Sequence, residues 1–233
     1  MFLELMYESE RFKWYGDRAT INGDIEQFYS YMEHCYSKAK DFLGFEPEGY
    51  LKIPVYIRPS SECRSGIGGA TTEGKLQYCA GAWADNKWCR RLLPHELVNV
   101  FTGYLSAGWP WADGSELWYG RSPFPYFVSV EIMRALGYVS EAEHSLAELS
   151  PRDRVFMFQE YLHRFSWDAY RRFFSQFRRS KEDLTTLREP EKTHRVFAYM
   201  IYGSGLTDLN PLINLFEKYG FNVDVDLLKQ QII

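Results

Sequence analysis

Long apolar runs are missing from this chain, and none of its hydrophobic stretches reaches the length a membrane-spanning helix requires. The N-terminal MFLELMYESERF lacks a basic segment followed by an apolar one and a small-residue cleavage site, so no secretory leader is read there and a cytoplasmic location is expected. Surplus positive charge is absent too. Lys and Arg number 27 against 31 Asp and Glu, a formal charge of -4, so no overall field exists to hold a nucleic acid. Cysteine is sparse. Cys35, Cys63, Cys79 and Cys89 form no CxxC pair, which argues against a zinc knuckle or a dense disulfide framework and leads us to expect reduced, partly buried thiols.

Aromatic residues are plentiful. The 233 residues include 17 Tyr, 17 Phe and 7 Trp, enough flat apolar side chain to supply much of a core. With 45% hydrophobic and 25% charged residues, the composition suits one domain or two tightly packed lobes.

Periodicity orders the elements. Ile25, Phe28, Met32, Cys35, Tyr36, Ala39 and Leu43 repeat at helical spacing, so a helix is expected from a cap at Asn22 to a stop at Gly44. Leu51 to Ile57 reads as a strand, with Pro54 suggesting an edge, and Leu76 to Trp83 as another. The Gly-rich segment between them, Ser65 to Ala70, reads as a loop without the lysine or spacing of a phosphate-binding one. From Lys87 onward the pattern is helical. Phe124 to Leu136 precedes Gly137, Ser140 and the Ser150 to Asp153 segment offer helix starts, and Thr207 and Asp224 or Asp226 offer two more. The expected fold is therefore α+β: residues 1–107 form an N-terminal α/β part with a small sheet and a central helix, and residues 108–233 a helical C-terminal lobe.

Chemistry concentrates in Pro94-His95-Glu96-Leu97-Val98-Asn99, where proline is read as standing at a helix start. Positions i and i+4 share a helix face, so His95 and Asn99 point the same way with Glu96 beside them. That is the geometry of HExxH, in which two imidazoles hold zinc and the glutamate activates the bound water. Here the second imidazole is an amide. Downstream, Gly108-Trp109-Pro110-Trp111-Ala112-Asp113-Gly114 resembles the Pro-x-Trp-x-x-Glu-Gly signature of the glutamate-zincin (gluzincin) metallopeptidases, with Asp113 at the place of the acidic third ligand.

The resemblance implies a zincin-like fold and a metal set of His95, Asn99 and Asp113. It also implies Glu96 as general base for peptide-bond hydrolysis, and a peptide lying along an edge strand at Leu76 to Trp83. Two of the three ligand positions depart from the pattern. An amide offers zinc a neutral oxygen, and Asp113 is about one methylene shorter than glutamate, so weak zinc binding or none is expected. Two readings follow: a degenerate metallopeptidase, or a pseudoenzyme that binds a peptide or protein without cutting it. Oligomeric state is not legible.

Each feature also has a plainer explanation. A His-Glu pair on an apolar helix serves as a satisfied structural pair, Asp113-Gly114 as a turn, and Trp109 and Trp111 as core. Tyr199, Tyr202, His194 and His163 qualify as oxyanion partners by location alone. Arg171, Arg172, Arg178 and Arg179 sit among Phe173, Phe174 and Phe177, a solvated face over a buried one, and the acidic charge opposes reading them as a nucleic-acid surface.

Overall fold

The computed structural model describes residues 3–21, 24–47, 51–62, 69–72, 75–81, 86–103, 123–182, 184–188 and 190–232. Among them it is an α+β arrangement of one mixed five-stranded sheet and eight α-helices. The strands are β1 (Glu4–Glu8), β2 (Phe12–Gly16), β3 (Ile53–Arg58), β4 (Gly69–Thr72) and β5 (Lys75–Cys79), in the order β1-β2-β3-β5-β4. β2, β3 and β5 run parallel, while β1 and β4 are antiparallel to their neighbours.

One face of the sheet is buried. Phe12 and Trp14 of β2, Ile53, Val55 and Ile57 of β3, and Leu76 and Tyr78 of β5 alternate with half-buried residues, as a period of two demands. Helix α1 (Gln27–Leu43) covers part of this face through edge contacts of Tyr36 with Phe12 and of Tyr29 with Trp14. It ends at Gly44, whose φ of 81° closes the helix as expected; Asn22, the expected cap, lies outside the described residues.

Two expectations about strands need correcting. β3 is an inner strand, although it contains Pro54. The proline is tolerated because the ladder to β5 begins one residue later, at Val55 opposite Leu76. β5 is also inner, paired to β3 on one side and β4 on the other, so it cannot be the edge that receives an extended peptide. The edge on that side, among the described residues, is β4. Its Gly69 and Ala70 belong to the segment read from sequence as a loop.

Helix α2 (Asn86–Gly103) packs against β4 and β5 and carries Pro94 in its interior rather than at its start. Two buried hydroxyls anchor it. Tyr31 of α1 donates to the Arg90 carbonyl at 2.6 Å and Tyr78 of β5 to the Leu93 carbonyl at 3.3 Å.

The helical part follows in the order α3 (Pro123–Ala135), α4 (Val139–Ala147), α5 (Arg154–Ser180), α6 (Glu191–Ser204), α7 (Asn210–Lys218) and α8 (Val225–Gln231). Asp153 caps α5 by accepting from the Val155 amide at 3.0 Å, and Asp224 caps α8, both at expected starts. Inside α5, Ser166 leaves the helical region with φ 62° and ψ 177°. The break divides the buried Val155, Phe158 and Tyr161 from the buried Tyr170, Phe173, Phe174 and Phe177, and the following Trp167 stacks on Phe42 at 4.2 Å. α5 and α6 approach closely at Gly203, where an added Cβ would meet the Ala169 carbonyl at 2.5 Å.

A single apolar cluster, from Phe12 to Leu228, joins sheet and helices. No helix among the described residues is long and apolar enough to cross a membrane. Cys35 and Cys89 are buried thiols outside any disulfide, but Cys79 is disulfide-bonded, which corrects the expectation of reduced thiols throughout. Spacing without CxxC excludes a dense framework; it does not exclude one bridge.

Candidate functional site

Three polar side chains emerge from an otherwise apolar stretch of α2. Leu93, Leu97, Val98, Val100 and Phe101 are all buried, and the helical period that sinks them turns His95 and Asn99 to a half-buried face with Glu96 beside it.

Glu96 is 7% exposed, and its carboxylate accepts from Asn99 Nδ2 at 3.1 Å. A carboxylate only accepts, so this contact fixes the orientation of the amide. The Asn99 Oδ1 is left buried with no hydrogen-bond partner. Such an orphaned acceptor costs about 1–3 kcal/mol unless a ligand supplies the donor.

His95 meets the edge of the Tyr126 ring, with centroids 6.5 Å apart. Burial holds its imidazole below the ordinary histidine range; Glu96 pulls the value back up and Arg91 pushes it further down. Burial also raises the Tyr78 phenol well above its usual range, and the nearby Glu96 charge adds to this. The site therefore offers a neutral imidazole, a buried carboxylate engaged by an amide, and an unpartnered amide oxygen.

The structure brings together His95, Glu96 and Asn99, as the i, i+4 spacing requires. Asp113 lies outside the described residues, as do Trp109, Trp111 and the rest of the downstream motif. Among the described residues no group of three His, Cys, Asp or Glu side chains could hold a metal ion. The side chains on α2 do not suit zinc as they stand. One imidazole is present, the second position presents a neutral oxygen better matched to harder ions, and Glu96 is turned to that amide.

Two of the distant candidates, Tyr199 and His194, have structural partners. Tyr199 bonds Glu182 at 2.6 Å and Ser180 at 2.8 Å. His194 contacts the Pro190 carbonyl through Nδ1 at 2.8 Å and accepts from the Asp224 amide through Nε2 at 2.9 Å, bracing α8. Tyr202 and His163 are exposed. The arginines of α5 are also engaged: Arg171 donates to the Asp41 carbonyl at 2.9 and 2.6 Å, Arg172 to the Gly203 carbonyl at 2.8 Å, and Arg178 lies 5.1 Å from the Phe45 ring centroid.

Sequence reading missed the contribution of Arg91 and Tyr126. Arg91 was legible as the residue one turn before His95. Tyr126 was one tyrosine among 17 in an apolar run, with nothing local to single it out. No protein-family model, curated protein or solved structure matches this chain, so the functional reading rests on its own residues.

Proposed function

We propose that this chain is a zincin-like protein whose α2 site binds an extended peptide or protein segment without hydrolysing it. The pairing of Glu96 with Asn99 carries the reading. The carboxylate that would activate a water is instead held by an amide, and the freed Oδ1 is a buried acceptor suited to the N–H of a bound segment.

The platform moves from β5 to β4. α2 packs beside this edge strand, and main-chain pairing along it would present an extended segment to His95 and Asn99. Zinc belongs to this reading only as ancestry. With His95 and Asn99 as donors, and Asp113 as the third ligand, binding at physiological zinc is weak or absent.

The degenerate-peptidase alternative assigns Glu96 as the general base and needs a metal that the α2 donors do not favour. A cytoplasmic location is part of the proposal, and the Cys79 disulfide pulls against it, since reducing compartments rarely preserve such bonds. Thiol alkylation in intact cells before extraction separates the two.

The test has two arms. Purified protein is incubated with a denatured protein substrate, with and without added zinc, and products are read by mass spectrometry; cleavage above that of Glu96→Gln overturns the non-catalytic reading. An arrayed library of extended peptides is then probed with wild type and Asn99→Leu. Sequence-selective binding that Asn99→Leu loses supports the proposal, and identical profiles sink it.

A further inference from the structure

A cavity of about 510 Å3 opens between the first half of α2 and the outer face of α4. It is lined among the described residues by Lys87, Arg91, Ser140, Glu141, His144 and Glu148, with Ser145 at its back. It adjoins the candidate site through Tyr126, which touches both Arg91 and His95.

Arg91 dominates its chemistry. The side chain is 24% exposed, and one hydrogen bond, from Nη1 to the Tyr126 hydroxyl at 3.1 Å, holds the guanidinium. Tyr126 is itself fixed, because its hydroxyl donates to the Ser145 carbonyl at 2.7 Å. The fork is thus oriented by a buried phenol while most of its five donors remain unspent.

The two acidic residues in the lining do not consume them. Glu141 is taken by Arg90 at 2.9 Å. Glu148 Oε2 stands 3.7 Å from Arg91 Nη1, beyond hydrogen-bonding reach, and its side chain is half exposed; its other oxygen lies 3.6 Å from the exposed His144. The Ser140 side chain stands on the facing helix.

We infer that this cavity is a binding site for a small oxyanion, a carboxylate or phosphoryl group, gripped by the Arg91 fork and displacing Glu148 toward solvent. A planar guanidinium with paired free donors matches either group in bidentate fashion, which an ammonium cannot do. Glu148 occupies part of the space an incoming anion needs, so it acts as a weak internal competitor. This inference is independent of whether the α2 site holds a peptide, because it uses neither Glu96 nor Asn99.

Isothermal titration with inorganic phosphate and, separately, with succinate tests it on the full chain. Saturable binding of either probe is expected, phosphate alone marking a phosphoryl site and succinate alone a carboxylate site. Arg91→Ala weakens binding by about tenfold or more, which is roughly 1.4 kcal/mol per decade. Glu148→Gln tightens it by about threefold through loss of the competing charge. Thermal unfolding checks that the variants fold. If Arg91→Ala does not, Arg91→Lys replaces it and also weakens binding, since it keeps the charge and loses the fork. No saturable binding of either probe up to about 10 mM overturns the site. So does an affinity indifferent to both the Arg91 and Glu148 substitutions.

Discussion

The Tyr31 hydroxyl donates to the Arg90 carbonyl at 2.6 Å, and it does so where the helix cannot supply its own bond. In an α-helix that carbonyl receives the amide of the residue four later, which here is Pro94 and carries no N–H. α1 therefore repairs a defect in α2 one turn before His95. Tyr31→Phe should lower stability by about 1–2 kcal/mol, the cost of stranding a part-buried carbonyl. In a Pro94→Ala background the restored amide satisfies Arg90, and the same substitution should cost less than half as much. Urea denaturation of the four proteins gives the cycle; equal costs in both backgrounds would show that the bond does not compensate for the proline.

That repair also shows what the sequence discloses. Period and caps are local, so α1, α3, α5, α8 and the His95, Asn99 face of α2 are legible from spacing alone. Strand order is not local. The segment at Gly69 looks like a loop because glycine is a poor strand former, yet pairing with β5 makes it a strand and converts β5 from an edge to an inner position. The strands β1 and β2 escape a helical scan although Phe12 and Trp14 alternate with Lys13 and Tyr15 in the period of a half-buried strand. Pro94 misleads as a helix start because the donor that compensates for it, Tyr31, lies 59 residues before Arg90 in the chain. At the site, Glu96 and Asn99 are predictable neighbours, but the orientation of the amide depends on a carboxylate that only the fold brings within 3.1 Å.

Ser166 sits at φ 62° and ψ 177°, a region that only glycine enters without strain. The residue is exposed, so no packing is lost on truncation. Its hydroxyl accepts from the Asp168 amide at 3.3 Å, a cap whose replacement by glycine costs a few tenths of a kcal/mol. Ser166→Gly should therefore stabilise the protein by about 1 kcal/mol, raising Tm by roughly 2–4 °C at this chain length. A lower Tm would mean that the capping bond outweighs the backbone strain.

Glu160 joins α5 to α7. Burial raises its pKa, but hydrogen bonds from Lys218 at 2.6 Å, from Arg164 and from Tyr219 at 3.1 Å prevail, and the carboxyl is held below its usual range. A depressed folded-state pKa contributes stability that is complete above the unfolded carboxyl pKa of about 4.3 and is lost as pH falls through the folded value. Glu160→Gln should cost about 1 kcal/mol at neutral pH, screened because the partners are partly exposed. The gap to wild type should close progressively in acid. Denaturation midpoints measured across the acidic range check this, and a gap that stays constant would assign the loss to packing rather than charge.

Asn99→His should raise zinc affinity by orders of magnitude, because it replaces a neutral oxygen with an imidazole one turn from His95 and frees Glu96 from its amide partner. His95 is suited to the role, since burial keeps it neutral and a metal ligand must be deprotonated. Proteolysis need not return with the metal. Asp113 is about one methylene shorter than glutamate, so as third ligand it would hold zinc less well and leave the bound water less activated. The double change Asn99→His with Asp113→Glu is therefore the sharper test of ancestry. Titration calorimetry with zinc should show weak or no binding by wild type, a clear gain for the single variant and a further gain for the double. Tight 1:1 binding by wild type would mean that the amide site is a working metal centre, whereas no gain in the double variant would mean that His95, Asn99 and Asp113 never converge on one ion.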